Sequence, residues 1–122
     1  MKKDYDVLEF HKIINELMEL ALLESTKEKF LDIHADTKNP NLEEYIYLAP
    51  NGKVFLVERK NTLEVRCDRN LSKLLKEEFE SVMTSRYFGV GGVEIVLSGQ
   101  VEEDKIEDLV RLSYNLTKEM AD

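Results

Sequence analysis

The chain has 122 residues, 43 % of them hydrophobic and 34 % charged, the make-up of one folded domain rather than a disordered tail. Its net charge is −8, from 17 Lys and Arg against 25 Asp and Glu, so it lacks the overall basic footprint of a nucleic-acid binder; one cysteine, Cys67, excludes an internal disulfide. No stretch approaches the ~20 apolar residues that cross a bilayer, and Asp4, Asp6 and Glu9 interrupt the run a signal peptide would need, so a cytoplasmic protein without a membrane partner is expected.

Residues 6–24 carry Phe10, Ile13, Ile14, Leu17, Leu20 and Ala21 at three- and four-residue steps, which predicts a helix. Asp6 and Glu9 have the spacing of a capping box. After it, Phe30 to His34 could form a short strand, and the "DTKNPN" run reads as a loop, with Pro40 blocking a regular ladder.

Three strands follow, in "EYIYLAP", "KVFLVER" and "TLEVRCD". Tyr45 and Tyr47 share one face of the first, and Leu63, Val65 and Cys67 one face of the third. Asn51-Gly52 is a hairpin signal, since both residues tolerate positive φ, and "RKNT" makes a second turn.

A second helix is predicted over residues 69–82, with Leu71, Leu74, Leu75, Phe79 and Val82 as its stripe and Asp68 or Asn70 as its cap. A third is predicted over residues 102–120, with Ile106, Leu109, Val110, Ser113, Leu116 and Met120 facing inward. Glu102, Glu103 and Asp104 meet the positive end of its dipole.

Between these helices stand Gly89, Gly91 and Gly92. A phosphate loop needs its glycines at the entrance to a helix, where free N–H groups meet the anion. Here "VEIVLSG" follows, an alternating strand with no lysine in the phosphate-binding position. The glycines are therefore expected to turn one strand into the next. The order α-β(3)-α-β(2)-α predicts an α+β two-layer sandwich, an antiparallel sheet with helices packed on one face, as a single domain over residues 1–122.

Chemistry-bearing residues are sparse. His34 and Asp36 would point the same way on a strand, but zinc wants three or four ligands, so no metal site is expected. Cys67 falls in phase with core residues and reads as a small hydrophobe. The many glutamates read as solvated helix faces. One basic concentration stands out: Arg59, Lys60, Arg66, Arg69, Lys73 and Lys76, with Arg69, Lys73 and Lys76 on one helix face. Arg66, Arg69, Lys73, Lys76 and Arg86 form the candidate binding set, for phosphates or an acidic partner. Tyr45, Tyr47, Tyr87 and Phe88 could stack on a base or cover a core.

Residues 51–120 resemble the MmcQ/YjbR family of small bacterial proteins, through "NGKVFLV", "LEVRCDRNLSKLLKEEF" and "VLSGQVEEDKIEDLVRLSYNLT", the last with Ser113 and Tyr114. Where family members carry a Lys/Arg-His-Trp cluster, this chain has "YFGVGGVE". The resemblance implies a fold like that of CyaY and of bacterial type III secretion chaperones, and it carries the family's label of predicted DNA binding. The expectation is thus a non-enzymatic binding module without catalytic residues or cofactor. Its partner is DNA or, in the alternative, a protein held in an acidic, chaperone-like manner; a homodimer fits a domain of this size, and a small-molecule enzyme is the last alternative.

Overall fold

Alternating apolar residues build the sheet. The computed structural model describes residues 25–29 and 44–121, together with Lys12, Asn15 and Glu16, which are helical. Among the described residues there are six strands: β1 (Thr26–Lys29), β2 (Tyr45–Leu48), β3 (Val54–Glu58), β4 (Thr62–Arg66), β5 (Val82–Ser85) and β6 (Gly89–Val96). They form one sheet in the order β1-β2-β3-β4-β6-β5, with every neighbouring pair antiparallel. Two helices whose full span is described, α1 (Arg69–Glu78) and α2 (Glu103–Lys118), pack on it, giving the expected α+β fold.

The register assigns side chains to faces. Tyr47 lies opposite Leu56, Leu56 opposite Val65, Val65 opposite Val93, and Leu63 opposite Ile95. These residues share one face and bury against Leu75 of α1 and Ile106, Leu109 and Val110 of α2. The other face carries Ile46, Val57, Glu64, Glu94 and Met83, by the same alternation. No helix among the described residues is long and apolar enough to cross a membrane.

Helix starts and stripes follow the sequence with corrections. Asp68 caps α1, accepting from the Leu71 N–H at 2.9 Å; Asn70 lies inside the helix. The helix stops at Glu78, so Val82 opens β5 instead of closing the helical stripe. The main-chain groups of Ser81 have left the helix: its N–H donates to Gln100 Oε1 and its carbonyl accepts from Val96. Leu74, placed on the stripe by its spacing, is 60 % exposed. In α2 the inward face is Ile106, Leu109, Val110, Ser113, Tyr114 and Thr117, while Leu116 and Met120 are exposed. Steps of 3.6 residues from Ile106 pass through Val110, Ser113 and Thr117, and the Thr117 hydroxyl is satisfied by the Ser113 carbonyl at 2.7 Å. An unforeseen strand, β1, stands just before the segment expected to hold a short strand. The helix expected over residues 6–24 is described only at three helical residues, and the strand expected at 30–34 lies outside the described residues.

The hairpin signal at Asn51-Gly52 is realised, with Gly52 at φ 82°. Asn51 also ties the hairpin to α2, its Nδ2 donating to the Thr117 carbonyl at 2.7 Å. Beside it, Tyr47 pairs with Leu56 and Leu48 with Val54, so Phe55 is the extra residue of a bulge. Phe55 packs edge-on against Tyr114 of α2, centroids 5.1 Å apart. Ser113 fills the gap beside the bulge, donating to the Phe55 carbonyl at 2.6 Å and accepting from the Arg66 N–H at 2.8 Å.

The glycine cluster differs from expectation. The turn from β5 to β6 is made by Arg86, Tyr87 and Phe88, and all three glycines belong to β6. Gly89 sits at φ 62°, which returns the chain into the strand. Gly92 serves close approach: a Cβ there would lie 2.5 Å from the Val65 carbonyl oxygen and 2.8 Å from Phe88 Cβ. Gly92→Ala should therefore cost about 1–3 kcal/mol by forcing backbone apart. Gly91→Ala, whose Cβ would meet nothing nearer than 3.5 Å, should stay within about 0.5 kcal/mol. Urea unfolding midpoints of the two variants check the difference.

Candidate functional site

The face of the sheet away from α1 and α2 holds two carboxylates that alternation alone would place in solvent. Glu64 of β4 lies directly opposite Glu94 of β6. They are 0 % and 2 % exposed. Like charges opposed across strands destabilise a sheet, and a buried carboxylate is costly without partners.

Each carboxylate is saturated. Glu64 accepts from Arg59 Nε, from the Ser85 hydroxyl at 2.7 Å and from the Tyr87 N–H at 2.9 Å. Glu94 accepts from Arg86 Nε at 2.9 Å, Arg86 Nη2 at 2.7 Å and the Thr62 hydroxyl at 2.8 Å. Arg59 is itself 5 % exposed and reaches Glu44 with Nη1 at 3.4 Å. Three of these six donors, Arg86 Nε and Nη2 and the Tyr87 N–H, come from the β5–β6 turn. The turn thus folds back over the sheet and is pinned there by the carboxylates. Phe88 closes the space that Gly92 leaves open, and its own N–H is held by the Ser85 hydroxyl at 2.8 Å.

On top of this fold-back lies a cation and two rings. The Arg66 guanidinium carbon stands 4.6 Å from the Phe88 ring centroid, a cation–π contact. Its Nε donates to the Val54 carbonyl at 2.8 Å. Burial pulls Arg66 below its ordinary value, while the neighbouring Tyr87 opposes that. Tyr87 meets Phe88 edge-on, with centroids 5.0 Å apart, and stays 40 % exposed. Exposed Met83 and Val90 belong to the same hairpin.

The expected binding set is split. Arg66 and Arg86 come together with Tyr87 and Phe88 on this face. Arg69, Lys73 and Lys76 lie exposed on α1, on the opposite side, where Lys76 donates to the Thr84 hydroxyl at 3.0 Å. Arg59, grouped with the surface cations by sequence, is a buried structural partner. Glu64 and Glu94 were missed because period-two alternation marks them as solvent-facing; the signal available was the glycine at position 92, which lets a turn cover them.

Other groups have little freedom for chemistry. Burial pushes the Cys67 thiol up, and nearby Asp68 adds to this against the contrary pull of the Ser72 hydrogen bond and Lys76. Tyr47, buried and hydrogen-bonded to Glu58 at 2.6 Å, is also pushed up. Among the described residues no three His, Cys, Asp or Glu side chains gather into a set that could hold a metal ion. His34 and Asp36 lie outside the described residues.

No family model matches the chain, and no curated protein matches it in sequence. In structure it is similar to the crystal structure of the Deinococcus radiodurans protein DR2400, which carries a DUF419 domain, with a TM-score of 0.63 over 87 % of this chain and 78 % of that one. Identity is 12 %, so the likeness shows a shared α+β fold and no more.

The saturated carboxylates make a prediction about acid. Burial would raise Glu94, but the hydrogen bonds from Arg86 and Thr62 and the charge of Arg86 outweigh it and hold the carboxyl below the ordinary glutamate value. A depressed folded-state value means stability that is complete above the unfolded value near about 4.3 and is lost as pH falls through the folded one. Glu94→Gln should lower stability by about 1–3 kcal/mol at neutral pH. It should also flatten the loss of stability on acidification below about pH 5. Urea unfolding at stepped pH checks both.

Proposed function

We propose that the chain is a non-enzymatic binding module of the MmcQ/YjbR-like kind, with nucleic acid as its first ligand class. The supporting observation is the division of labour among its polar groups. Among the described residues, the buried groups that could act as base or nucleophile, Glu64, Glu94, Tyr47 and Cys67, are spent on structure: the first three on internal hydrogen bonds and the last as a buried thiol. On the sheet face Arg66, Arg86, Tyr87 and Phe88 stand together, the kinds of side chain that take phosphate and base, although the described surface as a whole is rich in Asp and Glu.

A second reading has its own observation. Met83, Tyr87 and Val90 are exposed on a hairpin that ends the sheet at β5. A sheet edge beside apolar residues can take an extended segment of a protein partner, in a chaperone-like manner, and a charge of −8 favours a basic segment.

Fluorescence anisotropy of a labelled single strand and a labelled duplex, at low salt and at about 150 mM salt, tests the first reading. Binding that weakens as salt rises is the expected result. Failure of both oligonucleotides to bind at low salt would remove nucleic acid and leave the protein-partner reading.

A further inference from the structure

We propose that the ligand is single-stranded nucleic acid, taken on the sheet face by Arg66, Tyr87 and Phe88 and not on α1. This rests on the nucleic-acid reading above and narrows it.

The first argument is an imbalance of charge. On this face Arg59 is matched by Glu64 and Glu44, and Arg86 by Glu94. Arg66 is half-buried, yet the only hydrogen-bond partner of its side chain among the described residues is the Val54 carbonyl, which takes Nε. Its terminal nitrogens keep four of the five N–H donors of a guanidinium, with no carboxylate against them. A partly desolvated cation held over the Phe88 ring is pre-organised for an anion that the described residues do not supply.

The second argument is the ring beside it. Tyr87 is exposed but placed, because its own N–H is anchored on buried Glu64 and its ring leans on Phe88. A fixed, exposed ring next to an arginine stacks a base while the arginine takes the adjacent phosphate. Bases in a duplex are stacked on one another and offer no face to such a ring, so the arrangement selects single strands. Arg86, with its side chain 61 % exposed, uses Nε and Nη2 on Glu94 and retains further N–H groups for a second phosphate. Among the described residues the row on α1 has no exposed aromatic neighbour of this kind: its exposed apolar residue is Leu74, and Glu77 and Glu78 stand on the same helix.

The site is small and the chain is acidic, so only one or two phosphates should be neutralised. The salt slope should be correspondingly shallow, on the order of −1 in log K against log salt.

The test is anisotropy at low salt with a labelled ten-nucleotide oligo(dT) and a labelled duplex of the same length. It uses the whole chain and the variants Tyr87→Ala, Tyr87→Phe, Arg66→Gln and the pair Arg69→Glu/Lys73→Glu. Tyr87→Ala is informative because the anchor to Glu64 is a main-chain N–H and survives it; Arg66→Gln is accepted only with an unchanged urea midpoint, and the tyrosine variants decide otherwise. The expected result is a strand bound at least about tenfold more tightly than the duplex, weakened about five- to hundredfold by Tyr87→Ala and retained by Tyr87→Phe. Equal duplex binding, or strand binding that survives Tyr87→Ala and is lost in Arg69→Glu/Lys73→Glu, would overturn this inference while leaving the nucleic-acid reading in place. Failure of both oligonucleotides to bind would overturn both.

Discussion

Two carboxylates face each other across adjacent strands, and much of the structure on that side of the sheet exists to answer them. Glu64 and Glu94 sit opposite one another with almost no solvent, an arrangement that repulsion and desolvation would both forbid in isolation. Six donors resolve it, three to each carboxylate. Because Arg86 and the Tyr87 N–H are among the six, satisfying the carboxylates also fixes the course of the β5–β6 turn. Because Phe88 then descends on β6, residue 92 has to lack a Cβ. Electrostatics, backbone path and glycine placement are thus one constraint seen from three sides.

The other face is knitted by different means toward the same place. The bulge at Phe55 interrupts the ladder between β2 and β3, and beside it Ser113 of α2 bridges the Phe55 carbonyl of β3 and the Arg66 N–H of β4 from the helix layer. Its bond to the Arg66 N–H holds the main chain of the residue whose side chain is fixed, across the sheet, by the Val54 carbonyl and the Phe88 ring. The helix layer therefore supports the position of Arg66 through its backbone, and the turn supports it through its ring. A surface assembled this way is held at its base, so a ligand taken there, as proposed, would meet a small ordering cost.

Much of the fold could be read from the chain because local signals agreed with tertiary packing. Asn51-Gly52 names its hairpin, Asp68 its helix start, and the alternation of Leu63, Val65 and Cys67 its buried face. The errors came where a local signal has two meanings. Val82 stands three residues after Phe79, in helical register, but belongs to a strand. Leu116 fits a three-residue step while Thr117 fits the 3.6-residue period. A glycine cluster between strands reads as a turn, yet the turn is Arg86, Tyr87 and Phe88, and the glycines make room for it. The site was legible only in parts. Arg66, Arg86, Tyr87 and Phe88 each stood out by residue type, but nothing local joins Arg66 to a turn twenty residues away. Nor does alternation show that Glu64 and Glu94 are covered; that depends on a fold-back visible only in three dimensions.

Amide hydrogen exchange at Tyr87 tests the central claim most directly. A turn residue at the end of a hairpin would ordinarily exchange at nearly the rate of an unstructured chain. If the turn is folded back and its N–H donates to buried Glu64, the Tyr87 amide should be protected by at least about a hundredfold, comparably to the flanking strand amides. Unprotected exchange at Tyr87, with the amides of β6 protected, would mean that the turn stands away from the sheet. Glu64 and Glu94 would then need another explanation, and the platform for Arg66 and the rings would be lost with it.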